Sequence, residues 1–228
     1  MSFYTNVIQR GNVLLVRSIE NGKRIRDRVE YEPTLFNIVS EKTKYTTLDG
    51  RYVAPKYCDS IRDAKAWLEQ RQNQDIVFGN TQYPYCYISD KYPDDMSWDK
   101  DQLLIVTIDI EVECENGFPN PKDAAEPLLS ITMKNHQNKQ IIVWGLHEFQ
   151  NYRDDVDYRL CKDEDNLLMK FLDTWRAIDY PDVITGWNTE FFDIPYLCNR
   201  IRNRLGEDMM KKLSPWNNVF DKEVYQMG

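Results

Sequence analysis

Residues 103–119 read LLIVTIDIEVECENGFP, and their interpretation decides how the second half of the chain folds. Five of the six residues from Leu103 to Ile108 are aliphatic, which predicts a strand in the interior of a sheet. Asp109, Glu111 and Glu113 then follow at a spacing of two. Side chains two apart on a strand share a face, so Asp109 and Glu111 project together. Paired carboxylates on a rigid strand repel one another. Either the strand has reached solvent and the acids are hydrated, or a hard divalent cation with oxygen ligands sits between them.

The flanking sequence bears on that choice. The apolar run predicts that Asp109 lies deep in the sheet. The loop GFPNP presents Phe118 close to the carboxylates, either as an exposed aromatic or as a packed anchor. Further on, TGWNTEFFDIPYLCNR places Asp193 at a predicted helix start, where it can approach the end of a neighbouring strand. Acids beside an aromatic suit a site that holds nucleotide phosphates through metal and bases by stacking.

D-I-E on a strand, followed by N-x3-F-D opening a helix, resembles the Exo I and Exo II motifs of family B DNA polymerases. The replicative polymerases of T-even-like bacteriophages are the most similar group. DRVEYEPTLF, IRDAKAWLEQR, YCYISDKY, DIEV, GFPNP, ITGWNTEFFDIPY and NRIRNRLGE…KKLSP resemble successive blocks of that family's N-terminal third, in order. The resemblance implies an α/β (α+β) chain. A β-rich N-terminal domain (1–103) would precede an incomplete ribonuclease H-like 3′–5′ exonuclease domain (104–228), whose mixed sheet is flanked by helices. It assigns Asp109, Glu111 and Asp193 as catalytic metal ligands, expected to converge within a few ångströms on Mg2+ or Mn2+. It assigns Asn188, Phe192 and Phe118 to DNA contact. Glu113 matches no catalytic position and is expected either to be hydrated or to support the ligands from behind. Two-metal phosphodiester hydrolysis needs no nucleophilic side chain, in keeping with histidines (His136, His147) that lie outside the acidic motifs.

The same resemblance implies single-stranded and primer-template DNA as partners. RNA, the remaining polymerase portion and replisome proteins such as a sliding clamp are implied as well, in a host bacterial cytoplasm. The family's Exo III motif, a tyrosine followed by an aspartate, is expected beyond residue 228, and Tyr225 has no acid after it. The isolated chain is therefore expected to be catalytically incomplete, and either to self-associate or to have a final segment, about residues 214–228, that is displaced or poorly ordered. A non-catalytic nucleic-acid-binding module is the alternative.

Composition restricts the rest. The 228 residues carry a net charge of −8, with 42% hydrophobic and 29% charged side chains, and the acidic excess falls entirely within residues 104–228. Such a chain binds a polyanion only through local basic patches or bridging cations. Five scattered cysteines without a C-x-x-C pair argue against a disulfide framework or a zinc site, and for a reducing, cytoplasmic setting. No apolar run approaches a membrane span, and the first residues lack a signal-peptide pattern.

In the first half, Asn21-Gly22 between strand-like runs predicts a two-residue hairpin. Arg24, Arg26 and Arg28 then share one strand face, which is either a phosphate-contacting stripe or a solvated outer surface. SIRDAKAWLEQRQ predicts a helix capped by Ser60, with Asp63 in the capping-box position and Ile61, Ala64, Trp67 and Leu68 buried. YPYCYISDKY reads as a strand leading into a polar linker. In the second half LLSITM, IIVWGL and PDVITGWN read as strands. DEDNLLMKFLDTWRAI reads as a helix with Asp163 as N-cap, and FFDIPYLCNRIRNRLG as one that Gly206 ends or interrupts.

Overall fold

The computed structural model describes residues 2–70, 77–94, 96–114 and 117–220, and the chain divides after Gln102 into two compact units. Tyr225 and the rest of 221–228 lie outside the described residues.

Strands β1 (Ser2–Arg10), β2 (Val13–Glu20) and β3 (Lys23–Glu30) of the first unit form an antiparallel meander. Glu20 pairs with Lys23 across Asn21 and Gly22, whose φ angles of 51° and 78° are those of the expected tight turn. A second antiparallel sheet has the order β5-β6-β4-β7, from β4 (Thr34–Ile38), β5 (Tyr45–Thr46), β6 (Tyr52–Tyr57) and β7 (Val77–Phe78). Leu14, Val16, Leu35, Cys58, Ile61, Ala64 and Tyr83 build this unit's core. Helix α1 (Ile61–Gln70) begins as its sequence predicts, with the Ser60 hydroxyl accepting from the Asp63 amide. Asp63 returns a bond, but to the amide of Asp59 rather than that of the cap residue.

Residues 83–91 correct the strand reading, because they form α2 (Tyr83–Lys91). Three alternating tyrosines have strand propensity, but packing overrides it. Pro84 occupies the first turn, where the missing N–H costs nothing. Tyr83 and Tyr87, one helical turn apart, both reach the core, and Tyr85 stays exposed. The Tyr31 ring lies 6.4 Å from that of Tyr83 and 6.2 Å from that of Tyr87, and its hydroxyl donates to Asp90 at 2.5 Å. Burial and the Asp90 carboxylate push the Tyr31 phenol well above its ordinary range.

The second unit holds a five-stranded mixed sheet, order β11-β10-β9-β8-β12. Its strands are β8 (Ile105–Val112), β9 (Leu128–Asn135), β10 (Ile141–Gly145), β11 (Val156–Leu160) and β12 (Val183–Thr185). β9 runs antiparallel to β8 and β10, whereas β12 and β11 are parallel to β8 and β10 respectively. The register aligns Ile108 with Met133, Met133 with Ile142, Ile110 with Ile131 and Ile131 with Trp144, all buried on one face. That face is covered by α3 (Glu164–Ala177), through Leu167, Leu168, Phe171, Leu172 and Trp175, and by α4 (Asp193–Leu205), through Tyr196, Leu197 and Ile201. Each fully buried side chain of this kind contributes about 1.5–3 kcal/mol relative to exposure. The Asp163 carboxylate caps α3 at the Asn166 amide, and Gly206 ends α4 with φ of 90°.

Candidate nucleic-acid and metal site

The acids of β8 lie on the other face of the sheet. Val106, Ile108 and Ile110 point into the core, so the period of two turns Asp109 and Glu111 outward, and both are exposed. The expectation that Asp109 lies deep is thus corrected. The strand is interior by its pairing, but its acid-bearing face is open to solvent. Glu113 is partly buried beyond the strand end, and its amide donates to the Pro127 carbonyl at 2.9 Å.

The edge of β8 explains where Asp193 goes. β12 pairs only with Ile105 to Thr107, which leaves the backbone groups beyond Thr107 without a strand on that side. The chain continues hard against that edge. A Cβ at Gly186 would meet the Thr189 hydroxyl and lie 2.5 Å from the Ile108 carbonyl oxygen, so only glycine fits. Asn188 takes φ of 57°, and its carbonyl accepts the amides of Phe191 and Phe192, turning the chain into α4. Asp193, the first residue of that helix, then accepts the Ile110 amide at 3.3 Å. A side-chain carboxylate stands in for the absent ladder partner, at the residue between the two outward acids of β8.

Asp193 is 4% exposed. Burial raises its carboxyl above the ordinary range, the Ile110 amide opposes that, and the charge of Asp109 adds to it. Oxygen donors of this type suit Mg2+ or Mn2+. A buried acid whose perturbing charged neighbour is another acid is the electrostatic setting a cation would relieve. The convergence expected of Asp109, Glu111 and Asp193 is nevertheless not met. Among the described residues no group of three or more His, Cys, Asp or Glu side chains is placed to hold a metal ion. Asp193 approaches from the strand edge and the β8 acids project from its open face, and three like charges do not draw together unaided.

Phe118 is 80% exposed, and its ring packs against Phe192, tilted by 47° with centroids 5.0 Å apart. Phe192 in turn lies 5.5 Å from Tyr196, so a file of rings leads from the surface into α4 beside Asp193. The exposed rather than the anchoring reading of Phe118 is the observed one. Trp187 and Phe191, both exposed, flank the exposed Asn188 on the same approach to α4. Sequence reading passed over Gly186 and Thr189. Their signal was the run of polar and small residues between a short strand and a helix, which is too common to mark a site.

In the first unit Arg26 and Arg28 are exposed on β3, whereas Arg24 is partly buried and donates to the Gln102 carbonyl at 2.9 Å. The stripe is not a uniform solvated face, because its cross-strand partners Leu15 and Ile19 are buried.

Residues 64–227 match the family described as DNA polymerase family B, exonuclease domain. The DNA-directed DNA polymerases of Escherichia phage RB69 and Enterobacteria phage T4 are each 30% identical to the chain across 99% of its length. A DNA polymerase of Archaeoglobus fulgidus is 27% identical across 43% of the chain and 10% of its own length. The chain spans 28% of the length of the two phage relatives. Among the described residues, no helix is long and apolar enough to cross a membrane.

Proposed function

Because this chain belongs to the exonuclease-domain family of the family B DNA polymerases, we propose that it forms part of a phage-type DNA-directed DNA polymerase and carries acids of its 3′–5′ proofreading exonuclease site. The observation that carries this reading is the bond from the Ile110 amide to Asp193, which joins the helix acid to the residue between Asp109 and Glu111.

Asp109 and Glu111 on β8 and Asp193 on α4 are the residues that would hold Mg2+ or Mn2+. When bound, such ions supply an activated water and a counter-charge for the departing 3′ oxygen. The strand and the helix start bring their carboxylates from two directions, and a bound cation would draw together acids that repel one another without it. Phe118 stacks the terminal bases of a single strand, with Phe192 behind it and Asn188 shaping the turn. The polymerase activity, primer-template DNA as substrate and replisome partners such as a sliding clamp belong to the same proposal.

Manganese titration followed by electron paramagnetic resonance tests the acids. Weak binding is expected in the native chain, and loss of it in Asp109→Ala and in Asp193→Ala. Equal binding by all three proteins would remove both residues from the site.

The exposed Arg26 and Arg28 favour a second reading, in which the first unit contacts template DNA or RNA without catalysis. Binding of single strands that survives Phe118→Ala but not Arg28→Ser would support it.

A further inference from the structure

The part of the loop that follows Phe118, residues 121–126, is held by one side of α4. The Tyr196 hydroxyl donates to the Glu126 carbonyl at 2.6 Å, Asn199 Nδ2 to Pro121 at 2.8 Å, and Asn203 Nδ2 to Asp123 at 2.9 Å. Arg200 is central. Its Nη1 donates to the carbonyls of Ala124 (3.1 Å) and Ala125 (2.7 Å), while Nε and Nη2 reach the two carboxylate oxygens of Glu164 at 2.7 and 2.6 Å. Glu164 closes the circuit by accepting the Leu128 amide at 2.8 Å, where the loop becomes β9.

This network is not explained by stability alone. Arg200 and Glu164 are 7% and 8% exposed, and a buried ion pair is close to break-even against apolar packing of the same volume. Ala124 also sits at φ of 41°, a left-handed conformation that costs a non-glycine residue about 1–2 kcal/mol. A strained residue held by several convergent bonds marks a conformation that its surroundings impose. What the pair supplies is a fixed position for the loop relative to α4, the helix that begins with Phe192 and Asp193.

We propose that Arg200, clamped by Glu164, is a positioning residue that sets Phe118 against Phe192, and so places the stacked 3′-terminal base of a single strand at the carboxylates. The proposal rests on the exonuclease reading above and extends it to a residue buried behind the site. Arg200→Lys keeps the charge opposite Glu164 but cannot span two carbonyls and a carboxylate. Asn199→Ala removes the Pro121 tether without stranding a buried charge.

The test uses the full chain and a single-stranded DNA oligonucleotide with 2-aminopurine at its 3′ end, whose fluorescence is quenched by stacking, alongside manganese titration of the same proteins. Phe118→Ala, Arg200→Lys and Asn199→Ala should each lose quenching and bind the oligonucleotide roughly fivefold or more weakly, as expected for a lost base–aromatic stack. Their manganese affinity should match that of the native chain. Should Arg200→Lys fail to fold, Glu164→Gln, which loosens the clamp on Arg200 while leaving it an acceptor, takes its place. If Phe118→Ala loses quenching and the folded Arg200→Lys and Asn199→Ala proteins retain it, the positioning role is overturned and the exonuclease reading stands. If Phe118→Ala behaves as the native chain, the stacking site itself is refuted, and the positioning role with it.

Discussion

Asp193 is held by opposing requirements. Burial disfavours its charge, one backbone amide favours it, and a neighbouring acid disfavours it again, so its carboxyl is raised above the ordinary value. A raised carboxyl binds its proton more tightly in the folded than in the unfolded chain. Its contribution to stability is therefore fully present at low pH and is lost as pH rises through the folded value. In metal-free buffer Asp193→Asn, whose amide oxygen can still accept from Ile110, should stabilise the chain at pH 7. The gain should shrink as pH falls toward the carboxyl range. Urea unfolding at several pH values measures this. A variant less stable than native at pH 7 would mean that the charge is favourably solvated and the burial argument fails. Some individual residues announced their roles. Ser60 and Asp163 cap the helices they precede because a short acceptor before an amphipathic run satisfies amides nothing else can reach. Phe118 stayed ambiguous, since exposure depends on what covers a loop.

At the scale of elements, the junction of β12, Gly186 and α4 controls the site. The chain passes so close to β8 at Gly186 that an added methyl would lie 2.5 Å from the Ile108 carbonyl. Gly186→Ala should destabilise the chain by about 1–3 kcal/mol, the usual cost of overpacking. Gly117→Ala, where no atom stands within 4 Å, makes the control for lost space, its φ of 103° adding only backbone strain. Thermal melts measure both, and a Gly186→Ala protein as stable as the native chain would deny the close approach. Elements with a strong period were legible: β8, β9, β10, α1, α3 and α4. Those that depend on neighbours were not. Residues 83–91 carry strand-forming tyrosines but bury Tyr83 and Tyr87 at helical spacing. β11 is a polar edge strand that exists because β10 offers it a ladder.

At the scale of the whole molecule, the described residues form two apolar clusters, one built from residues before Gln102 and the other from residues after it. Clusters with no common residue are expected to melt as separate cooperative units. Calorimetry should resolve two transitions, and limited proteolysis should cut within residues 91–102 before it reaches the interior strand at 105–112. A single transition with coincident loss of both units would contradict this. The sequence by itself determined the local order of the second unit: the alternation that puts Ile108 and Ile110 on one face of β8 and Asp109 and Glu111 on the other, the caps, and the motif order that points to the family. Periodicity and capping are properties of neighbours along the chain, so they can be read from it. Only the tertiary structure decided which edge of β8 lacks a strand, and so where Asp193 finds its amide. It also decided that Asp109 is exposed, and that a buried Arg200 grips the loop carrying Phe118. Those outcomes depend on groups 75 to 83 residues apart, whose meeting is set by packing and by the desolvation of charge rather than by any local pattern.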